Sequence, residues 1–80
     1  MNSYIAISPD GQTVTINSKR DYSHAIFSVI DYGTTRPTIQ HTGNASSKAL
    51  ADKAAASLVA RCVKNNYSVK TWVVELEQVA

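Results

Sequence analysis

The sequence predicts an α+β fold: one antiparallel sheet in the order β-β-β-β-α-β, with a single amphipathic helix packed on one face. Three observations carry this expectation. Residues 46–64, SSKALADKAAASLVARCVK, place Leu50, Ala51, Ala54, Ala55, Leu58, Val59, Cys62 and Val63 at steps of three, four and one, which makes one helix face continuously apolar. The segments before and after it alternate polar with β-branched or aromatic residues at the period of a strand. Pro9-Asp10-Gly11 separates the first two of these runs as a turn, since proline presets its own φ and glycine accepts a positive one.

Taken in order, residues 3–8 set Ile5 and Ile7 against Tyr4, Ala6 and Ser8, and residues 12–17 set Val14 and Ile16 against Thr13, Thr15 and Asn17. The two read as a β-hairpin. Residues 18–23, SKRDYS, are the most polar stretch and carry the chain out of the hairpin as a loop, a bulge or a short helical turn. Residues 24–32, HAIFSVIDY, are apolar on both faces, as in a central strand whose second face is covered. Residues 33–37 are a loop in which Pro37 keeps Arg36 out of the helical region. Residues 38–42, TIQHT, are short and polar and suit an edge strand. Residues 42–45 lead into the helix, Ser46 or Ser47 caps it, Arg61 and Lys64 suit its negative C-terminal pole, and Asn65-Asn66 ends it. Residues 69–79 close the chain as a strand, with Trp72, Val74 and Leu76 on one face and Val69, Thr71, Val73, Glu75 and Glu77 on the other. The expected inward set is Ile5, Ile7, Val14, Ile16, Phe27, Val29, Leu50, Leu58, Val63, Trp72, Val74 and Leu76.

Composition bounds the class. Eighty residues make one domain, 1–80, with 44% apolar and 18% charged residues, an ordinary globular balance. A chain of this size buries only about 60% of its unfolded surface, so a homodimer is one expected way of adding core. No apolar run approaches the roughly 20 residues of a membrane span, and the first residues carry no basic segment of a secretory signal. Cys62 is the lone cysteine, which excludes an internal disulfide, fits a cytoplasmic setting and reads as a small residue of the helix core. Eight basic against six acidic residues give +2, too positive for a mimic of DNA and too weakly so to make non-specific nucleic-acid binding the default.

Constellations for catalysis are scarce. The three glycines stand apart at 11, 33 and 43, so no loop cradles a phosphate. His24, His41 and Cys62 lack metal-ligand spacing, and no serine sits in a nucleophile elbow. The expectation is a non-enzymatic protein without metal or cofactor. The informative stretch is Lys19-Arg20-Asp21-Tyr22-Ser23-His24-Ala25. In an extended chain Arg20, Tyr22 and His24 share a face, and such side chains stack, hydrogen-bond and carry charge as binding hot spots do. With Lys19 and Arg36 they form the expected protein-binding set. The same residues also read as structural, with Tyr22 packed at a sheet edge, Arg20 paired to Asp21 or Asp31, and His24 satisfied locally, and the structural reading is favoured because a mixed polar triplet arises often by chance.

The helix start, TGNASSKALADKAAASL, resembles the end of a double-stranded-RNA-binding domain, where lysines at the last helix meet phosphates. That resemblance implies phosphate contacts by Lys48 and Lys53, and with the charges of Arg20 and Arg36 it gives the alternative reading, a nucleic-acid-binding module. The chain departs from that family in lacking its first helix, in continuing past this one, and in reducing its adjacent lysines to Lys48 beside Asp52.

Arg20-Asp21-Tyr22-Ser23-His24-Ala25 and Leu50-Ala51-Asp52-Lys53-Ala54-Ala55 together resemble small phage and prophage proteins that join an Arg-x-Tyr-Ser/Thr-His-Ala motif to an alanine-rich helix. Small phage proteins of this size include inhibitors of host defence, anti-CRISPR proteins among them. The resemblance therefore implies a phage-derived binder that blocks a host protein or nucleoprotein complex, such as a CRISPR effector, in the bacterial cytoplasm.

Overall fold

The computed structural model describes residues 1–33 and 36–79. Thr34 and Thr35 of the expected loop, and Ala80, lie outside the described residues. The elements are β1 (Asn2–Ile7), β2 (Thr13–Ser18), β3 (His24–Asp31), β4 (Gln40–Ala45), α1 (Lys48–Lys64), β5 (Ser68–Glu75) and β6 (Glu77–Gln78). The class is α+β, but the single sheet is corrected to two three-stranded antiparallel sheets, ordered β2-β1-β6 and β4-β3-β5. The cause is Leu76. It interrupts the last strand, its N–H donates to the Ser23 carbonyl at 2.8 Å, and its side chain packs into the core between the sheets. The chain thus leaves the second sheet after Glu75 and joins the first at Glu77.

The core lies in two layers. Tyr4, Ala6 and Ile16 of the first sheet meet Ala25 and Phe27 of the second, with Val14, Trp72, Val74 and Leu76 packed against them. On the far face of the second sheet Ile26, Ala45 and Val73 meet Ala51 and Ala55 of α1. β3 is central, paired to β4 and β5 and covered on both faces, as its two apolar faces require.

Ile5 and Ile7 do not face the core. Ile7 is 54% exposed, whereas Tyr4 and Ala6 are buried. The turn decides this. Gly11 donates its N–H to the Ser8 carbonyl at 2.9 Å, Ser8 donates to the Gln12 carbonyl at 2.8 Å, and Gly11 sits at φ 86°. This is a three-residue loop closed by a left-handed glycine. It pairs Tyr4 with Ile16 and Ala6 with Val14. A two-residue loop over Asp10-Gly11 would have opposed Ile7 to Val14. One extra loop residue shifts the register and turns every β1 side chain over.

The helix follows the expected capping. Ser47 is the N-cap and its Oγ accepts the Leu50 N–H at 3.2 Å. Asn66 takes the left-handed conformation at φ 62°, with Tyr67 N–H on the Cys62 carbonyl and Asn66 N–H on that of Val63, a Schellman ending. The buried stripe is narrow, however: Ala51, Ala55, Leu58 and Cys62. Leu50 and Val63 lie about 100° to either side of that stripe and are 52% and 64% exposed, against expectation. Cys62 is buried on the stripe.

The fourth strand also differs, running Gln40–Ala45 rather than 38–42. A bulge between Ile26 and Phe27 lets Gly43, Asn44 and Ala45 continue the ladder against Ile26, Ala25 and His24. The segment expected to lead into the helix is therefore strand. No helix among the described residues is long and apolar enough to cross a membrane.

Candidate functional site

The crossing from β2 to β3 is held by the first strand. Residues 19–23 are not strand, so the period-two reading of Arg20, Tyr22 and His24 does not apply to them. The Tyr4 hydroxyl donates to the Arg20 carbonyl at 3.2 Å and accepts the Tyr22 N–H at 3.1 Å, while the two rings pack at 6.4 Å between centroids. Asn2 Nδ2 donates to Asp21 Oδ1 at 2.9 Å, so Asp21 serves the crossing and not Arg20. Asp31 Oδ1 instead accepts the Gly33 N–H at 2.8 Å. Tyr22 is half-buried against the core between the sheets. His24 shares the face of Ile26, toward the helix, opposite Ala45 and Glu75, and its Nδ1 bonds Ser23 Oγ at 2.7 Å. The three side chains therefore do not form one surface. Lys19 and Arg20 remain exposed, with no ion pair among the described residues.

This clamp has a measurable worth. Tyr4→Phe removes the acceptor of a half-buried N–H together with one donated bond, a loss of about 1–3 kcal/mol. Urea unfolding is expected to show a lower midpoint with an unchanged slope; an unshifted midpoint would show the crossing to be held without Tyr4, by Asn2 and by the main-chain bonds of Ser23.

At the helix start, Lys48 Nζ lies 2.9 Å from Asp52 Oδ2, an exposed i,i+4 pair, and Lys53 is exposed five residues on, about 140° round the helix from Lys48. The nearby carboxylate halves what the pair of lysines presents to a phosphate.

A different place gathers aromatic and cationic groups. The antiparallel register of β3 and β5 ends at Asp31 opposite Ser68, and its next step sets Tyr32 opposite Tyr67. Their rings meet edge to face at 4.7 Å, and both are exposed. Two concavities, of about 350 and 190 Å³, share Ile30 and Tyr32. Together they form a groove along the outer half of β3. Arg36, His41, Ser28, Thr38, Gln40 and Thr42 line one wall. Arg61, Asn65, Tyr67, Leu58 and Cys62 line the other. No acidic side chain is among the described residues of the lining. His41 is steadied by Asn44 Oδ1 at 2.8 Å from Nε2 and by the Phe27 ring at 5.4 Å.

Of the residues singled out by sequence, this groove takes only Arg36; Lys19, Arg20, Tyr22, His24, Lys48 and Lys53 stand elsewhere. Tyr32, Tyr67 and Arg61 were missed because they are remote in sequence; the register of β3 against β5 is the signal that joins the tyrosines. Among the described residues no three His, Cys, Asp or Glu come together as a metal site would require. No protein-family model, curated protein or solved structure matches the chain.

Proposed function

We propose that this protein is a non-enzymatic binding protein that engages an anionic or acidic surface of a host nucleoprotein complex through the β3 groove. The observation that carries the reading is the exposed Tyr32–Tyr67 pair set between Arg36 and Arg61 with no acid in the lining. Tyrosine and arginine dominate the energetics of protein contacts because they combine apolar area with directional hydrogen bonding. The motif resemblance to small phage proteins supplies the class of partner: a defence complex in the bacterial cytoplasm, blocked by occupation of its surface. Lys19 and Arg20 add a second exposed basic contact at the crossing, with Tyr22 and His24 giving that segment its shape.

The test is a pull-down from bacterial lysate, with and without nuclease, using wild type, Arg36→Glu/Arg61→Glu and Arg20→Ala/Tyr22→Ala. Two hot-spot contacts of about 1–2 kcal/mol each correspond to roughly 30–1,000-fold in affinity, so the groove variant is expected to lose the complex. Equal recovery by that variant sinks the groove; equal recovery by Arg20→Ala/Tyr22→Ala removes the crossing.

Direct nucleic-acid binding is the second reading, favoured by the same arginines and by stacking of bases on exposed tyrosine rings. It predicts affinity for single strands that falls steeply with salt. Capture that survives nuclease, together with no mobility shift at low salt, excludes it.

A further inference from the structure

The four edge strands of the two sheets are built differently: β6 is only two residues long and β5 carries the charges of Lys70 and Glu75, both guards of an edge. β4 pairs with β3 through a register break and carries Gly43, and such irregularity keeps another strand from adding to an edge. β2 is at the outer edge of the other sheet and pairs with β1 in unbroken register from Thr13 to Ser18. Its sequence, TVTINS, has no charge, proline or glycine, so the usual guards of an edge are missing. The bond from Ser8 N–H to the Gln12 carbonyl fixes the phase of the ladder. Alternate residues bond across an antiparallel pair, so Val14 and Ile16 turn their peptide groups to β1 while Thr13, Thr15 and Asn17 turn theirs to the open side.

The charges at the ends of this strand are opposite. Asp10 stands at the turn, and Lys19 and Arg20 follow Ser18. All three are exposed and none makes an ion pair among the described residues, although one Asp10 carboxylate oxygen accepts the Ser8 hydroxyl and the Gln12 N–H within its own turn.

We propose that β2 is a self-pairing edge, at which a second copy of the chain adds its own β2 antiparallel about a two-fold axis through Thr15. This register opposes Thr15 to Thr15 and Thr13 to Asn17, the residues whose peptide groups are open, and forms about six main-chain hydrogen bonds. It also brings Val14 beside Ile16 of the other copy, joining the apolar inner faces. At each end it carries Asp10 toward Arg20 and Lys19 of the second copy. An antiparallel self-pair satisfies both ends at once; a parallel one sets like charges together. The surface covered by one strand is smaller than the roughly 1,200–2,000 Å² of tight complexes, so the dimer is concentration-dependent.

Sedimentation equilibrium of the full chain from about 5 to 500 μM tests this, a range that covers weak association. Wild type is expected to show a monomer–dimer equilibrium. Thr15→Lys places two ammonium groups across the axis, and Arg20→Glu sets a second carboxylate against Asp10; each is expected to weaken dimerisation at least tenfold. Both side chains are exposed, and unchanged thermal melting checks that the variants are folded. A wild type monomeric throughout, or folded Thr15→Lys that dimerises as tightly as wild type, overturns the proposal. So does dimerisation lost through Arg36→Glu while both β2 variants retain it.

Discussion

Phe27→Ala is expected to destabilise the domain by about 3–5 kcal/mol. Phe27 is 1% exposed and the largest fully buried side chain among the described residues. In the ladder it stands between Trp72 on β5 and His41 on β4, and across the layer it meets the Tyr4, Ala6 and Ile16 cluster of the other sheet. Truncation removes the ring from both relationships and leaves a void that rigid strands on either side cannot close. For a domain of this length each kcal/mol moves the melting midpoint by about 4–8 °C, so the fall is on the order of 15 °C or more. Calorimetry or urea unfolding measures it. A loss below about 1 kcal/mol would mean that the two sheets do not share one core.

The second large effect is at Leu58. It is the bulkiest side chain of the buried helix stripe, whose other members are Ala51, Ala55 and Cys62. The helix is docked against β5, β3 and β4 by small residues and this one leucine. Leu58→Ala is expected to cost about 2–4 kcal/mol, the lower part of the range for buried leucines, because the side chain also lines the groove and the space left opens to water. Amide hydrogen exchange separates this variant from Phe27→Ala. Protection is expected to fall first in α1 for Leu58→Ala and throughout both sheets for Phe27→Ala. Against a total stability of roughly 5–15 kcal/mol, either substitution consumes a large share. Unchanged helix protection in Leu58→Ala would move the docking energy to the alanines.

The elements were legible where a local rule governs them. Ser47 and Asn66 act as caps for reasons contained in a few neighbouring residues, and the double-faced β3 announced a buried strand. What escaped the sequence depended on counts or contacts spanning segments. Whether Ile7 or Ala6 faces inward rests on one loop residue at Gly11, and both faces of β1 are apolar enough to serve. The split into two sheets rests on Leu76, which alternation alone reads as one more inward residue of a continuous strand. The groove was the least legible. Arg36 belongs to both binding sets expected from the sequence, but Tyr32, Arg61 and Tyr67 become its neighbours only when β3, α1 and β5 are assembled. The strongest local motif, around Tyr22, proved to describe a tethered crossing.

The pairing of β6 with β1 sets the order in which the molecule can be finished. Gln78 Nε2 donates to Asn2 Oδ1 at 3.1 Å and Val79 N–H to the Ser3 carbonyl at 2.9 Å, between residues at opposite ends of the chain. Until those last residues arrive, the first sheet is a bare hairpin, which by itself is marginal in water. Contacts of such separation must overcome loop-closure entropy before they return any stability. The β1 flank of the hairpin therefore stays open until β6 docks, and closing it is a non-local, entropically costly step of folding.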